Sequence, residues 1–251
     1  MEDPRIFTQQ FDIQSHNVSQ NFDVSLQYLM GCMQTTADLH VDSRGMGWND
    51  LHAKGCFWAI YRMGLRIERM PRKYDRITVH TWANPPQGVF QPRSFEVFNQ
   101  KGELVLRAQS LWLVLDDREF RPLKVEEVVG CDISHLMGQN DTFPIPLKVP
   151  PVSGDCAFSP AVRDVLYSDI DSNLHVNNTA YARWITDSLP LSFLQQHRLT
   201  GIVLNYTQQA RMGVRYEVHT VQKSEREYIS VIRSEDGKEE YCRVKTEWEK
   251  M

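Results

Sequence analysis

The chain has 251 residues, of which 41% are hydrophobic and 24% are charged, and its formal net charge is −4 at pH 7. These values indicate a globular protein of one large or two modest domains, and they give no reason to expect a nucleic-acid partner. No apolar run approaches the roughly 18 residues of a membrane-spanning helix, and residues 1–4 lack the pattern of a signal peptide. We therefore expect no membrane insertion and a cytoplasmic location.

The cysteines also favour a reducing compartment. They are odd in number, widely spaced and without a Cys-x-x-Cys pair, which argues against a disulfide framework and against a zinc knuckle. The five are Cys32, Cys56, Cys131, Cys156 and Cys242. We expect free thiols, and neither a metal ion nor any other cofactor.

The first strong periodic pattern predicts a helix with one buried face. Apolar residues recur there at i, i+3, i+4 and i+7, a spacing that aligns them along one stripe of a helix. The stripe comprises Leu26, Leu29, Met30, Met33 and Ala37. Asn21 or Asp23 is placed to cap the start of this helix.

Alternating, β-branched and aromatic residues then predict three strands, at 76–82, 95–98 and 104–115. A turn at Lys101-Gly102 joins the last two strands, so the sheet is expected to be antiparallel. Residues 83–93 contain three prolines and one glycine, and they are predicted to form a loop.

The second half of the chain repeats this pattern. The sequence Arg-Ile-Thr-Val-His-Thr at 76–81 returns as Arg-Tyr-Glu-Val-His-Thr at 215–220, where four of the six residues are identical. The turn at Asp236-Gly237 corresponds to the earlier one at Lys101-Gly102. Because the order of the elements agrees as well, the chain is predicted to be a duplication.

The repeated half also contains a predicted helix, over 178–189. Its apolar face consists of Tyr181, Trp184, Ile185 and Leu189, and Pro190 is expected to end it.

These patterns predict an α+β fold in which each half has one long helix and a run of antiparallel strands. A helix with one apolar stripe and a sheet with one apolar face bury both when the sheet wraps round the helix. We expect an N-terminal domain over 1–135, a proline-rich linker over 136–159 and a C-terminal domain over 160–251. The two sheets are expected to lie side by side as one extended sheet.

A cluster of polar residues immediately before the second helix is the candidate site. In an extended segment the side chains of Asp171, Asn173 and His175 would project to one face, placing a base, an orienting amide and a proton carrier together. A calcium loop is excluded, because its sixth and twelfth positions hold Leu174 and Ala180 instead of glycine and glutamate. A polar turn that merely caps the helix is the remaining alternative.

The motif over 171–178, in the second half of a tandem chain, resembles the acyl-acyl carrier protein thioesterases of plants and bacteria. The likeness continues in the first half at Phe57-Trp58, Arg62-Met63, Asp75, Thr81-Trp82 and 108–112. The resemblance implies a double hotdog fold made of two long helices, each wrapped by antiparallel strands. It also implies hydrolysis of fatty acyl-acyl carrier protein in fatty acid biosynthesis, with the carrier protein as partner.

The resemblance further implies that Asp171, Asn173 and His175 are catalytic or orient water. A glutamate and a cysteine of plant members fall on Gln209 and Ala210, so a cysteine nucleophile is excluded at that position. Gln209 cannot take up a proton but can orient the attacking water, which leaves Asp171 or His175 as the base, with Asp171 favoured. Backbone N–H groups at the start of the helix after 178 are expected to hold the oxyanion.

The N-terminal domain is expected to hold the acyl chain, with Met30, Met33 and Trp58 in the substrate pocket, although core packing alone also accounts for these residues. The densest positive run is Arg62, Arg66, Arg69, Arg72 and Lys73. It is the candidate docking surface for an acidic carrier protein, or else a solvated face.

Three other functions remain open on the sequence: a hotdog hydratase, an acyl-coenzyme A thioesterase, and an acyl-binding module without catalysis. A homodimer is also open, because exposed sheet edges can pair between copies even though the duplication already supplies two halves.

Overall fold

A computed structural model of the chain describes residues 5–130, 133–138, 143–144 and 146–251. Sequence expectations that fall on residues 1–4, on Cys131 and on the other gaps lie outside the described residues. The chain separates into two compact units, the first formed by Met1–Val24 and Leu29–Pro146 and the second by Ser25–Tyr28 and Leu147–Met251. The division after Pro146 falls inside the segment 136–159 that the sequence predicts as a linker.

The first unit is built on an antiparallel sheet. Its elements in chain order are β1 (Phe7–Asp12), α1 (Leu26–Asp42, of which Leu29–Asp42 belong to this unit), α2 (Trp48–His52), β2 (Cys56–Ile67), β3 (Arg76–Ala83), β4 (Phe90–Asn99), β5 (Leu104–Asp116), β6 (Pro122–Leu123) and α3 (Val125–Val129). The strands pair in the order β1-β3-β4-β5-β2, and β6 lies beside β5. The three predicted strands are confirmed as β3, β4 and β5, and the sheet also contains β1 and β2, for which the sequence makes no prediction.

The β4 strand begins earlier than predicted and includes Pro92. The expected loop over 83–93 is therefore wrong for its first residue, which ends β3, and for its last four residues, which begin β4. The Pro92 carbonyl accepts a hydrogen bond from the Asn84 N–H at 2.9 Å, just beyond the point where β3 ends at Ala83. The nitrogen of Pro92 points to the same side of β4 as its carbonyl, towards Asn84. Because β3 has already ended there, the missing N–H of Pro92 removes no hydrogen bond between β3 and β4.

The apolar stripe of α1 is confirmed, since all five of its residues are buried. The predicted cap is wrong, because the Tyr28 N–H donates to Oγ of Ser25 at 3.3 Å and Ser25 thus caps the helix. At the other end of α1, His40 stacks on the ring of Phe7 and accepts a hydrogen bond from Arg93. Burial, with a further contribution from Arg93, lowers the pKa of His40 to about 3, so this imidazole is neutral.

The second unit repeats the architecture of the first. Its elements are β7 (Val162–Asp164), α4 (Asn178–Asp187), α5 (Leu191–Gln196), β8 (His197–Tyr206), β9 (Arg215–Gln222), β10 (Glu227–Ser234) and β11 (Glu240–Lys250). The strands pair antiparallel in the order β8-β11-β10-β9-β7. Thus β9, β10, β11 and β8 occupy the places that β3, β4, β5 and β2 occupy in the first unit, as a duplication predicts.

The α4 helix packs its apolar face on the second sheet. All four residues of the predicted face are buried, and Trp184 stacks on Tyr216 of β9 with ring centroids 3.8 Å apart. The helix ends at Asp187, two residues earlier than predicted, and α5 begins directly after Pro190. Among the described residues, no helix is long and apolar enough to cross a membrane.

Replacing Trp184 by alanine is expected to lower the free energy of unfolding by about 3–5 kcal/mol, because the change leaves a cavity against Tyr216. The matched change Trp48→Ala, at a ring with 52% of its surface exposed, is expected to cost less than about 1 kcal/mol. Urea unfolding of both variants beside the unchanged chain measures the difference. Equal losses would mean that Trp184 does not organise the packing of α4.

Candidate active site

The candidate residues lie in a tight turn between a short 3-10 helix, Tyr167–Asp169, and α4. We call residues 169–176 the site loop. An isolated antiparallel bridge joins its ends through Ile170 and Val176. The Asp171 N–H donates to the His175 carbonyl at 2.8 Å, and Leu174 has a positive φ of 62°. The expected extended segment with alternating faces is therefore wrong, and the turn itself brings the three residues together.

The carboxylate of Asp171 organises this turn. Its Oδ1 accepts the N–H of Asn173 at 2.8 Å and the N–H of His175 at 3.4 Å. A short acidic side chain that bonds the backbone two residues ahead is a common way to fix a turn. Asp171 and His175 are half-buried, whereas Asn173 is exposed. Asp171 is thus oriented by the loop that also carries the other two candidates.

His175 lies in an environment that disfavours its charged form. Burial is the main factor that lowers the pKa of this imidazole, and the positive charge of Arg211 lowers it further, while Asp171 opposes both. The ring is therefore neutral at pH 7 and is able to accept a proton.

Asp169 anchors the start of the site loop to α4. Its carboxylate is 1% exposed, forms an ion pair with Arg183 of α4 and accepts the Leu166 N–H at 2.8 Å. Its carbonyl accepts the Asn177 N–H at 2.7 Å. No local sequence signal points to Asp169 as an anchor, because its partner Arg183 lies 14 residues away along the chain.

The segment 207–214 between β8 and β9 holds the other side of the site loop. The Val176 N–H donates to the Ala210 carbonyl at 3.0 Å, and the Ala210 N–H donates to the Tyr181 hydroxyl at 3.1 Å. Both backbone groups of Ala210 are therefore hydrogen-bonded, and the preceding residue, Gln209, is exposed. The sequence assigns Tyr181 only to an apolar face, although a buried tyrosine hydroxyl usually needs a hydrogen-bond partner.

The N-terminus of α4 is capped by Asn177. Its Oδ1 accepts the Thr179 N–H at 2.9 Å, and its carbonyl accepts the Ala180 N–H at 2.9 Å. The predicted oxyanion site is therefore wrong for these two N–H groups, which the cap already uses. Because Asn177 provides the cap, the capping role that the sequence left open does not fall on Asp171 or His175.

The first unit contains the same loop scaffold, and we call its residues 17–24 the twin loop. It too follows a short 3-10 helix, Ser15–Asn17, and is closed by an antiparallel bridge through Val18 and Val24. Phe22 has a positive φ of 64° where Leu174 has 62° in the site loop. The backbone of the candidate site is therefore present twice.

The side chains of the two loops differ. In the places of Asp171, Asn173 and His175, the twin loop carries Ser19, Asn21 and Asp23. The twin loop thus keeps the amide at Asn21 but has no imidazole. Its carboxylate, Asp23, stands in the place of His175 and not in that of Asp171.

The predicted pocket residues belong to the first unit. Met30 and Met33 are buried on α1, with 1% and 0% of their surface exposed. Trp58 on β2 donates from its indole N–H to the Met46 carbonyl at 2.9 Å and packs against the cluster around Met46 and Leu51. Their role in substrate binding stays a prediction.

Three of the five residues in the predicted basic docking run lie beside carboxylates. Arg66 is paired with Glu68, Arg69 with Glu103, and Arg72 with Asp23. Arg62 donates to the Pro146 carbonyl at 2.6 Å, and Lys73 lies over the ring of Tyr74. Such ion pairs weaken the argument for an acidic partner at this surface.

No metal centre is apparent in the described part of the chain, and Cys242 is not placed to act as a nucleophile at the site. No group of three or more histidine, cysteine, aspartate or glutamate side chains among the described residues is arranged to hold a metal ion. Cys242, the cysteine that follows Ala210 in the sequence, is fully buried, and burial raises the pKa of its thiol.

Comparison with known proteins assigns the family. Residues 4–131 match the family model of the acyl-ACP thioesterase N-terminal domain, and residues 160–250 match that of the C-terminal domain. The chain belongs to the acyl-ACP thioesterase family. It is 29% identical over 268 residues to a chloroplastic palmitoyl-acyl carrier protein thioesterase of Gossypium hirsutum, an alignment that covers 99% of this chain. The chain spans 63–65% of the length of this relative and of two others from Cuphea.

Solved structures show the same fold. An acyl-ACP thioesterase from Bacteroides thetaiotaomicron superposes with a TM-score of 0.87 at 25% identity, covering 98% of both chains. The 12:0-ACP thioesterase from Umbellularia californica superposes with a TM-score of 0.88 at 22% identity, covering 100% of both chains. The predicted double hotdog fold of this thioesterase-family chain is thereby confirmed.

The buried charge of Asp169 gives a testable stability difference. Asp169→Asn is expected to lower the free energy of unfolding by about 2 kcal/mol, because it leaves Arg183 without its buried partner. Asp187→Asn removes the exposed carboxylate 4.0 Å from the same Arg183 and is expected to cost less than about 0.5 kcal/mol. Urea denaturation compares the two, and equal effects would contradict the anchoring role.

The titration of His175 gives a second test. Its pKa is expected to lie below the ordinary value of 6.5. Arg211→Gln is expected to raise it, whereas Asp171→Asn is expected to lower it further, because the two charges act in opposite directions. Arg72→Gln, next to the twin loop, is the control without effect. An NMR titration of the imidazole measures all four values, and a pKa above 6.5 in the unchanged chain would refute this account.

Proposed function

We propose that the chain hydrolyses the thioester of fatty acyl-acyl carrier protein, releasing a free fatty acid and the carrier protein with its thiol. The observation that carries the proposal is the site loop, which gathers Asp171, Asn173 and His175 in a chain whose two halves match acyl-ACP thioesterase models. Acyl-ACP is proposed as the substrate because the plant relatives are named for it.

The reaction requires a water to attack the thioester carbonyl and the sulfur to leave as a thiol. We assign Asp171 as the base that takes a proton from this water, because the loop N–H groups fix its carboxylate. The neutral imidazole of His175 is suited to share that proton or to polarise the carbonyl. We assign the amide of Asn173, whose side chain is exposed, to hold the water or the thioester oxygen.

Residues 209 and 210 favour direct attack by water over a covalent intermediate. Ala210 has no nucleophile, its side chain is buried, and its N–H and carbonyl are both used in hydrogen bonds. Gln209 carries no titratable group, so in this proposal it orients the water that Asp171 activates. The assignment of Gln209 stays a prediction.

The partner in this proposal is acyl carrier protein. A cytoplasmic location rests on the spacing of the cysteines and stays a prediction, as does the homodimer. Participation in fatty acid biosynthesis follows if the product is the free acid released from a carrier protein.

The experiment that tests the function is thiol release from acyl carrier protein thioesters of several chain lengths, with the matching coenzyme A thioesters as controls. Release confined to carrier-protein substrates supports the proposal. Release confined to coenzyme A substrates would assign another thioesterase class, and tight binding without release would indicate an acyl-binding module. Water addition to an unsaturated thioester without thiol release would indicate a hydratase.

Asp171→Ala is expected to reduce the rate of thiol release by at least about a hundredfold, because a positioned base contributes about that much or more to proton transfer. Circular dichroism should show that the variant is folded, since Asp171 is only half-buried. A variant that keeps most of its rate would show that Asp171 is not the base.

The twin loop supplies the matched control for that experiment. Asn173→Ala and Asn21→Ala make the same change at equivalent positions of the two loops. Only the first is expected to slow thiol release. Equal slowing would mean that the effect comes from the loop scaffold and not from the site.

Gln209→Ala is expected to slow hydrolysis about tenfold, because the change removes one hydrogen bond to the water. Gln209→Glu should keep more activity, because its carboxylate still accepts a hydrogen bond from water. Gln208→Ala is the neighbouring control, since the Gln208 amide donates to Glu239 at 3.0 Å instead. An alanine variant at 209 with the rate of the unchanged chain would remove Gln209 from the site.

A further inference from the structure

A second pair of reactive side chains lies in the second unit, where His219 of β9 meets Cys156 of the segment before β7. Sγ of Cys156 is 3.2 Å from Nδ1 of His219, and Nε2 of His219 is 3.4 Å from the Gly154 carbonyl oxygen. A nucleophile, a base and a group that orients the base are therefore linked by two successive contacts. None of the three belongs to the site loop.

Backbone contacts hold the cysteine segment against β9. The Ala157 N–H donates to the Thr220 carbonyl at 2.8 Å, and Nζ of Lys223 donates to the Ser153 carbonyl at 3.2 Å. Gly154 has a φ of 115°, which side-chain-bearing residues rarely adopt, and this conformation lets its carbonyl face His219. The geometry of the pair thus depends on the chain path and not on the two side chains alone.

The hydrogen bonds determine which nitrogen of His219 carries the proton. The Gly154 carbonyl can only accept, so Nε2 must donate to it and carry the hydrogen. In the neutral ring Nδ1 is then an acceptor, and the Cys156 thiol donates to it. His219 is therefore arranged to take the thiol proton.

Exposure separates Cys156 from the other described cysteines. Cys156 and His219 are both half-buried, so each residue keeps part of its surface open to solvent. Cys32, Cys56 and Cys242 have at most 5% of their surface exposed. Because a thiolate must be reached by its reaction partner, only Cys156 among these four combines access with a base.

We propose that Cys156 is a modification site for small disulfides. His219 takes the thiol proton, the Cys156 thiolate attacks one sulfur of the disulfide, and a new S–S bond forms as the old one breaks. The second half of the disulfide leaves as a thiolate, so the co-reactant is reduced and the product is a mixed disulfide at Cys156. This reaction is separate from the proposed thioester hydrolysis and does not depend on it.

Glutathione disulfide is the probe for the test, applied to the intact chain at pH 7 with peptide mapping by mass spectrometry. Cys156 is expected to be modified first. His219→Gln is expected to slow the modification at least about tenfold, because glutamine keeps a hydrogen bond but cannot accept the proton. His80→Gln is the matched control at the same position of β3 and is expected to leave the rate unchanged.

Two results would overturn the proposal. One is a mapping result in which another cysteine, Cys131 included, is modified before Cys156 in the unchanged chain. The other is a His219→Gln variant that is folded by circular dichroism and reacts at the original rate. If His219→Gln fails to fold, His219→Asn replaces it, and the order of modification in the unchanged chain still decides the question.

Discussion

A carboxylate with almost no solvent contact is costly unless a partner compensates its charge, and Asp169 is such a group. Arg183 of α4 provides the compensation, and the Leu166 N–H provides a further hydrogen bond. The start of the site loop is thereby tied to α4, which is itself held on the sheet by the stacking of Trp184. Any displacement of the loop would expose the carboxylate of Asp169 or separate it from Arg183. The position of Asp171 two residues later follows from this constraint.

The rest of the site is held by backbone groups, not by flexible side chains. Asp171 accepts two N–H groups of its own loop, and Ala210 is held through both its N–H and its carbonyl. Burial raises the pKa of the Tyr181 hydroxyl that binds Ala210, so this group stays protonated and uncharged. Donors and acceptors fixed in this way require little rearrangement when a substrate arrives, which is the condition for electrostatic stabilisation of a transition state.

Local periodicity made much of the fold predictable. The apolar stripe of α1 and the apolar face of α4 depend on residues a few positions apart. The repeat of β3 in β9 is visible because the two strands share identical residues. Contacts between distant residues were not predictable in this way. The pairing of Arg69 with Glu103 crosses 34 positions and turns an apparent basic patch into ion pairs. The turn of the site loop was missed because its bridge and the positive φ of Leu174 arise from the loop as a whole.

The two loops separate what the fold provides from what the chemistry requires. Both are closed by an antiparallel bridge, contain a residue with positive φ and lead into a capped helix, Ser25 capping α1 as Asn177 caps α4. The backbone arrangement therefore does not by itself make a catalytic site.

The difference lies in the charges placed on that arrangement. In the twin loop Arg72 forms an ion pair with Asp23, so the carboxylate of Asp23 is engaged in a surface contact. In the site loop Arg211 instead lowers the pKa of His175, whose charged form burial already disfavours. A duplicated loop with an ion pair is a structural turn, whereas the same loop with Asp171 and a neutral His175 has both an oriented carboxylate and a proton acceptor. The sequence change between the two halves, not the fold, is thus what confines the proposed chemistry to the second unit.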